Sequence, residues 1–235
     1  MAPDSPQATT ATLTGTYDRL WAAGEAALRT GSHVPDAIPV HGDPRWGLSV
    51  VLRVDDAVAE RVAAELPGLA DAGEAAHLVY RPEDLHCTIR SLEGFQDEVP
   101  QTQVDRYVDQ LTRVAAGLGP VRVTYRGLGG APGGVFVRGF PDAALWTLRE
   151  RLHADQLPHG PFGVPSVDTG RIQATAHVSV VVFRPPAVDE TKLAEYVGAR
   201  TEQPFGTAEA TSLSLVRYTP TASAVAMEEL ARVPL

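Results

Sequence analysis

The chain of 235 residues carries a formal charge of -9, with 44% hydrophobic and 21% charged residues, a balance that suits a globular protein with a real core. An excess of acid argues against broad binding along a nucleic-acid backbone, although a local pocket could still hold a small phosphate-bearing molecule. One cysteine rules out an intramolecular disulfide and a cysteine-rich zinc cluster, no apolar run approaches the roughly 18 residues of a membrane span, and Met1 to Gly15 lacks the features of a secretory signal, so a cytoplasmic protein is expected.

Residues 1–15 are rich in Ala, Thr and Pro and are expected to be disordered. Tyr17, Leu20, Trp21, Gly24, Ala27 and Leu28 then recur at helical spacing, with Gly31 as a stop. This predicts an accessory helix, followed by a loop from Ser32 to Arg45. Leu48 to Val54 reads as a strand and about Asp55 to Leu66 as a helix, its paired aspartates suited to a helix N-terminus. A Gly/Ala-rich loop leads to Tyr80 and Arg81-Pro82-Glu83-Asp84.

Next comes Leu85-His86-Cys87-Thr88-Ile89-Arg90-Ser91-Leu92, a strand signal. Gln101 to Leu118 reads as a helix, and Val121 to Leu128 and Gly134 to Phe140 as strands joined across Gly129-Gly130-Ala131-Pro132-Gly133. A helix over Leu145 to Leu152, opening near Asp142, precedes a Pro/Gly-rich loop from Pro158 to Gly170. Ala176-His177-Val178-Ser179-Val180-Val181-Val182-Phe183 then repeats the earlier histidine strand. Leu193 to Val197 lies in a short helix, with closing strands over Ala208 to Tyr218 and Ala224 to Val233.

Both histidine segments read His, apolar, hydroxyl, apolar. In a strand, residues two apart share a face, so His86 with Thr88, and His177 with Ser179, each point one way. Arg90 shares the face of His86 and Thr88, which makes it a phosphate contact or a solvated surface arginine. The histidines are 91 residues apart (177 - 86), and each follows the same order of strand, helix and loop. This suggests two pseudo-symmetric lobes whose histidine strands meet along an axis. Two imidazoles and two hydroxyls would then surround one cleft and supply an acid, a base and two donors without a metal.

Pro82 to Gly94, spanning His86 and Thr88, resembles the first signature of the two-histidine (2H) phosphoesterases. In particular it is similar to the bacterial 2'-5' RNA ligase/RNA 2',3'-cyclic phosphodiesterase branch. Arg171 followed by Ala176-His177-Val178-Ser179-Val180 is similar to the second signature, and Leu213 to Tyr218 through Leu235 to that branch's ending. The resemblance runs from about Trp46 to the C-terminus, leaving 1–45 as an extension and 46–235 as the domain. Cys87 stands where an aliphatic residue is usual, Ser91 where an aromatic is common, and Ser179 where Thr is more frequent.

The resemblance implies an α+β, bilobal, pseudo-symmetric fold with antiparallel sheets lining a central cleft and helices outside. It implies a metal-independent hydrolase acting on a 2',3'-cyclic or 2'-5'-linked nucleotide or RNA-end phosphodiester, with no cofactor. One histidine would deprotonate water while the other protonates the departing ribose oxygen, an unperturbed imidazole titrating near pH 6.5. Thr88 and Ser179 would donate to the non-bridging oxygens. RNA 2'-5' ligation, or a silent nucleotide-binding module with the same pocket, are the alternatives. A monomer is expected, without a broad nucleic-acid surface or a membrane.

Other features have plainer readings. Cys87 should face inward, where a buried thiol is inert. The glycines from Gly127 to Gly134 fail a dinucleotide-loop pattern at Pro132 and suit a hairpin connection. Tyr218 could stack on a base or pack in the core. His33, His41, His77, His153 and His159 fit no ligand spacing.

Overall fold

A computed structural model describes residues 9–74, 76–155, 165–166, 172–186, 188–220 and 225–235. Helix α1 (Thr10–Arg29) starts within the segment expected to be disordered, because the Thr9 side chain accepts from the Thr12 amide and caps it. Its buried stripe is Leu13, Tyr17, Trp21, Gly24, Ala27 and Leu28, the helical spacing of the sequence. Strand β1 (Leu48–Arg53) leads to α2 (Asp56–Ala63), where Asp55 caps by accepting from the Val58 amide.

The stretch read as a Gly/Ala-rich loop instead forms a further helix, α3 (Leu66–Ala72), and a short strand, β2 (Leu78–Val79). Pro67 lies at the start of α3, where a missing N–H costs nothing. A 3₁₀ turn over Pro82–Asp84 precedes β3 (His86–Ser91), the first histidine strand. Then come α4 (Gln101–Ala115) and a long hairpin of β4 (Val121–Ala131) and β5 (Gly134–Pro141). The glycine run is therefore mostly strand, with Pro132-Gly133 at the turn. Helix α5 (Ala143–Ala154) is capped by Asp142, whose side chain accepts from the Ala144 amide. Most of the Pro158–Gly170 loop lies outside the described residues.

The second histidine strand, β6 (Val178–Val182), is followed by α6 (Thr191–Gly198), β7 (Pro204–Ala210), β8 (Ser212–Pro220) and β9 (Val225–Pro234). The single strand expected over Ala208–Tyr218 is thus two strands broken at Thr211. They diverge: β7 pairs with β4, and β8 pairs with β1 and β9.

One antiparallel sheet results, in the order β7-β4-β5-β6-β3-β1-β8-β9, with β2 paired to β6. The order is symmetric about the β6–β3 boundary: β3 is flanked by β1 and β6 by β5, each the strand that runs into a capped helix, α2 and α5. The lobes therefore share a continuous sheet with the helices packed against it and a single hydrophobic core.

Two helices cross between the halves. Helix α2, from the first half, packs on β7, where Arg61 donates to the Phe205 carbonyl. Helix α5, from the second half, bridges β4 and β5 of its own half to β3 and α4 of the first.

Candidate functional site

Strands β3 and β6 pair at Cys87 and Val178. Antiparallel geometry then sets His86 across from Ser179 and Thr88 across from His177, a diagonal arrangement of imidazoles and hydroxyls. Cys87, Ile89, Val178 and Val180 are buried on the other face. Cys87 is fully buried, and burial raises its thiol pKa, so it takes no part in the cleft.

All four signature side chains line one cavity of about 380 Å³. Arg45, Trp46, Ser49, Tyr80, Ser91 and Glu93 from the first half of the chain join them, together with Gln173 and Tyr218. Tyr218 is in the cleft because β8 lies against β1, and its hydroxyl is 2.8 Å from His86 Nε2. Phe136, in register with Ser179, sets its ring 4.9 Å from that of His177.

The two histidines are held differently. His86 Nδ1 lies 2.7 Å from the Asp84 carbonyl, which can only accept, so Nδ1 carries the proton and Nε2 accepts from Tyr218. The Thr88 and Ser49 hydroxyls lie beside the Tyr218 hydroxyl and oppose the rise that burial imposes on its pKa. His177 Nδ1 lies 2.9 Å from Thr175 Oγ1. Desolvation lowers the pKa of each imidazole to about 4, the Asp84 carbonyl opposing this at His86 and Arg149 adding to it at His177.

Arg90 is not in the cavity lining. Val51 pairs with Thr88 but Val50 with Arg90, a β-bulge that interrupts the alternation. Beyond the bulge Ser91 takes the cleft face, and the Arg90 guanidinium donates to the Leu152 carbonyl of α5, 2.8 Å away. The second lobe repeats the device, since Phe136 pairs with Ser179 and Val135 with Val181. In each lobe the irregularity directly follows the signature hydroxyl.

Arg149, buried on α5, holds the first bulge. It donates to the carbonyls of Thr88 (2.8 Å), Ile89 (3.3 Å) and Gln173 (2.9 Å), tying the first histidine strand to the approach to the second. Its signal was in the sequence: Leu145, Leu148, Arg149 and Leu152 follow the i, i+3, i+4, i+7 pattern, which puts an arginine on an apolar stripe.

Trp46 had no such signal. It sits at φ 63°, a left-handed conformation rare for a bulky residue, and its ring meets Tyr218 edge-on at 5.6 Å. Gly47 follows it because a Cβ there would overlap the Gly94 backbone, with which Trp46 bridges. Glu93, buried beneath this contact, accepts from the Tyr107 hydroxyl at 2.6 Å and from Gln96.

Helix α1 reaches the site through one hydroxyl. Tyr17 Oη donates to the Gly139 carbonyl (2.9 Å) and accepts from the amides of Gly139 (3.2 Å) and Ala176 (3.0 Å). It therefore pins β5 to the residue directly before His177. Arg171 lies outside the described residues, as does His159. Among the described residues, no group of three or more His, Cys, Asp or Glu side chains is arranged to hold a metal ion. Nor is any described helix long and apolar enough to cross a membrane.

No family model matches the chain, and a search of the curated proteins finds no match. Solved structures do match. TT0787 of Thermus thermophilus is 20% identical with a TM-score of 0.55, over 80% of this chain and 97% of that one. A structure described as a phosphoesterase is 16% identical with a TM-score of 0.56, over 81% and 98%. Escherichia coli LigT in complex with 3'-AMP is 14% identical with a TM-score of 0.52, over 81% and 98%. At these identities the likeness is one of fold.

Proposed function

We propose that this protein, sharing its fold with those phosphoesterase and LigT structures, hydrolyses a 2',3'-cyclic or 2'-5'-linked nucleotide phosphodiester by two-histidine acid–base catalysis. One observation carries the reading: His86, at the start of β3, and His177, directly before β6, face one cavity with a hydroxyl beside each. A phosphorus seated between them has an imidazole on either side, the arrangement that in-line displacement needs. One imidazole takes the proton of the attacking water. The other protonates the oxygen whose bond to phosphorus breaks. Thr88 and Ser179 donate to the non-bridging oxygens as charge gathers there.

The 3'-AMP held by LigT supports a nucleotide, since 3'-AMP is the product expected when a 2',3'-cyclic phosphate opens at its 2' oxygen. The net charge of -9 favours a small nucleotide or an RNA end over structured RNA. Ligation uses the same groups on a different nucleophile: a 5'-hydroxyl in place of water attacks the 2',3'-cyclic phosphate, the bond from phosphorus to the 3' oxygen breaks, and that oxygen is protonated.

The test is a product assay with 2',3'-cyclic nucleotides in the presence of chelator. Wild type should turn over, and His86→Ala and His177→Ala should each lose roughly 10²–10⁴ in rate while unfolding cooperatively as wild type does. Near-wild-type turnover in either variant would sink the assignment. Nucleotide binding without turnover by the wild type would make the protein a binding module.

A further inference from the structure

A second cavity, of about 420 Å³, adjoins the first. The two share Arg45, Trp46, Gln173, His177 and Ser179, so His177 and Ser179 stand at their boundary. Their linings differ in chemistry. Around the first are His86, Tyr218, Glu93 and the hydroxyls of Ser49, Thr88 and Ser91. The second is walled by Leu20, Val135, Phe136, Val181 and Val182, with Thr16 and Asp36 also on its lining. Thr16 and Leu20 belong to α1, so the helix that ties down the backbone beside His177 also builds this wall.

We propose that the second cavity is a subsite for the leaving group of a linear phosphodiester, and that this group is flat and apolar. The inference rests on the phosphodiesterase reading above and narrows its substrate. A cyclic phosphate needs no such room, because its leaving oxygen stays on the ribose already seated in the first cavity. A linear diester releases a separate alcohol, which must lie across the phosphorus from the attacking water. With the nucleoside in the first cavity, that position is past His177, in the apolar space beside Phe136. His177 is then the acid for the leaving oxygen and His86 the base. A site of this size fits one ring system, lying against the aliphatic side chains and Phe136 while Thr16, Asp36 and Thr175 offer polar groups at its lining.

The probe is thymidine 3'-(4-nitrophenyl phosphate), which lacks a 2'-hydroxyl and so cannot cyclise. Water adds its oxygen to phosphorus, the bond from phosphorus to the nitrophenyl oxygen breaks, and the products are thymidine 3'-phosphate and 4-nitrophenol. Its kcat/KM is compared with that for adenosine 2',3'-cyclic phosphate in wild type and in Leu20→Trp, which fills the cavity from its half-buried α1 wall. The ratio of linear to cyclic kcat/KM should fall by about tenfold or more in the variant, the scale at which pocket shape discriminates. An unchanged ratio, or a wild type that opens the cyclic substrate and leaves the linear one intact, overturns the subsite. If the wild type turns over neither, and leaves a 2'-5'-linked dinucleotide intact as well, the phosphodiesterase reading itself fails. Calorimetric binding of the linear diester then decides the cavity: an affinity lower in Leu20→Trp supports it, and an equal affinity or absence of binding by wild type overturns it.

Discussion

His86 and His177 have their imidazole pKa values pushed to about 4 by desolvation, so at neutral pH both are uncharged in the free protein. Catalysis needs one of them charged. The kcat/KM profile should therefore be a bell lying on the acid side of 6.5, its limbs belonging to the pair. A phosphate anion seated between the rings favours imidazolium, so the kcat profile, which reports the complex, should lie at higher pH than the kcat/KM profile. Initial rates across pH would show this; coincident bells, or a kcat bell displaced toward acid, would contradict it. Tyr218 matters to the same balance, because its hydroxyl occupies the Nε2 lone pair that His86 needs as a base. That hydroxyl must turn away or pass the proton on, and burial pushes its own pKa up to about 12.

At the scale of elements, α1 is the part whose role the sequence concealed. Its buried stripe was legible from spacing, but no pattern announces that the Tyr17 hydroxyl serves two amides and a carbonyl across 159 residues of chain. Tyr17→Phe keeps the ring, which lies 5.8 Å from Phe136 and 5.6 Å from Phe140, and removes the hydroxyl. It should cost about 1–3 kcal/mol, because buried amides at Gly139 and Ala176 lose this partner. Chemical denaturation would measure it, and wild-type stability in the variant would mean the stitch is worth nothing. The paired signatures were legible because strand alternation and histidine-hydroxyl spacing are local properties. The orientation of Arg90 was not, since the bulge after Thr88 depends on Arg149, about 60 residues away. Helix α3 was hidden for a related reason. Its Pro67, Gly68 and Ala70 read as a loop, while Glu65 at its start is fixed by Tyr196, Arg200 and Gln203 from α6 and beyond.

At the scale of the molecule, four histidines among the described residues are held with lowered pKa: His33, His77, His86 and His177, in each case mainly through burial. Each is charged more readily in the unfolded chain, whose imidazoles titrate near 6.5. Their stability contribution is therefore complete above about pH 6.5 and is lost as pH falls from there toward the folded values. The thermal midpoint should drop steadily across that window. His33→Phe should shallow the drop, because among the described residues neither His33 ring nitrogen has a hydrogen-bond partner, and its ring packs on His77 and Phe183. A midpoint flat between about pH 6.5 and 4.5 would refute the linkage.

The exchange of helices between the halves has a mechanical meaning. With α2 seated on β7, α5 bridging β3 to β4 and β5, and one sheet running beneath the cleft, parting the lobes would break both helix contacts. The fold works as a clasp, and the side chains proposed to react are held in place before substrate arrives. Ligand should then leave the radius of gyration in solution scattering unchanged. For the proposed phosphodiesterase this means that the acid, the base and the two hydroxyls are assembled by the fold itself, before any ligand binds.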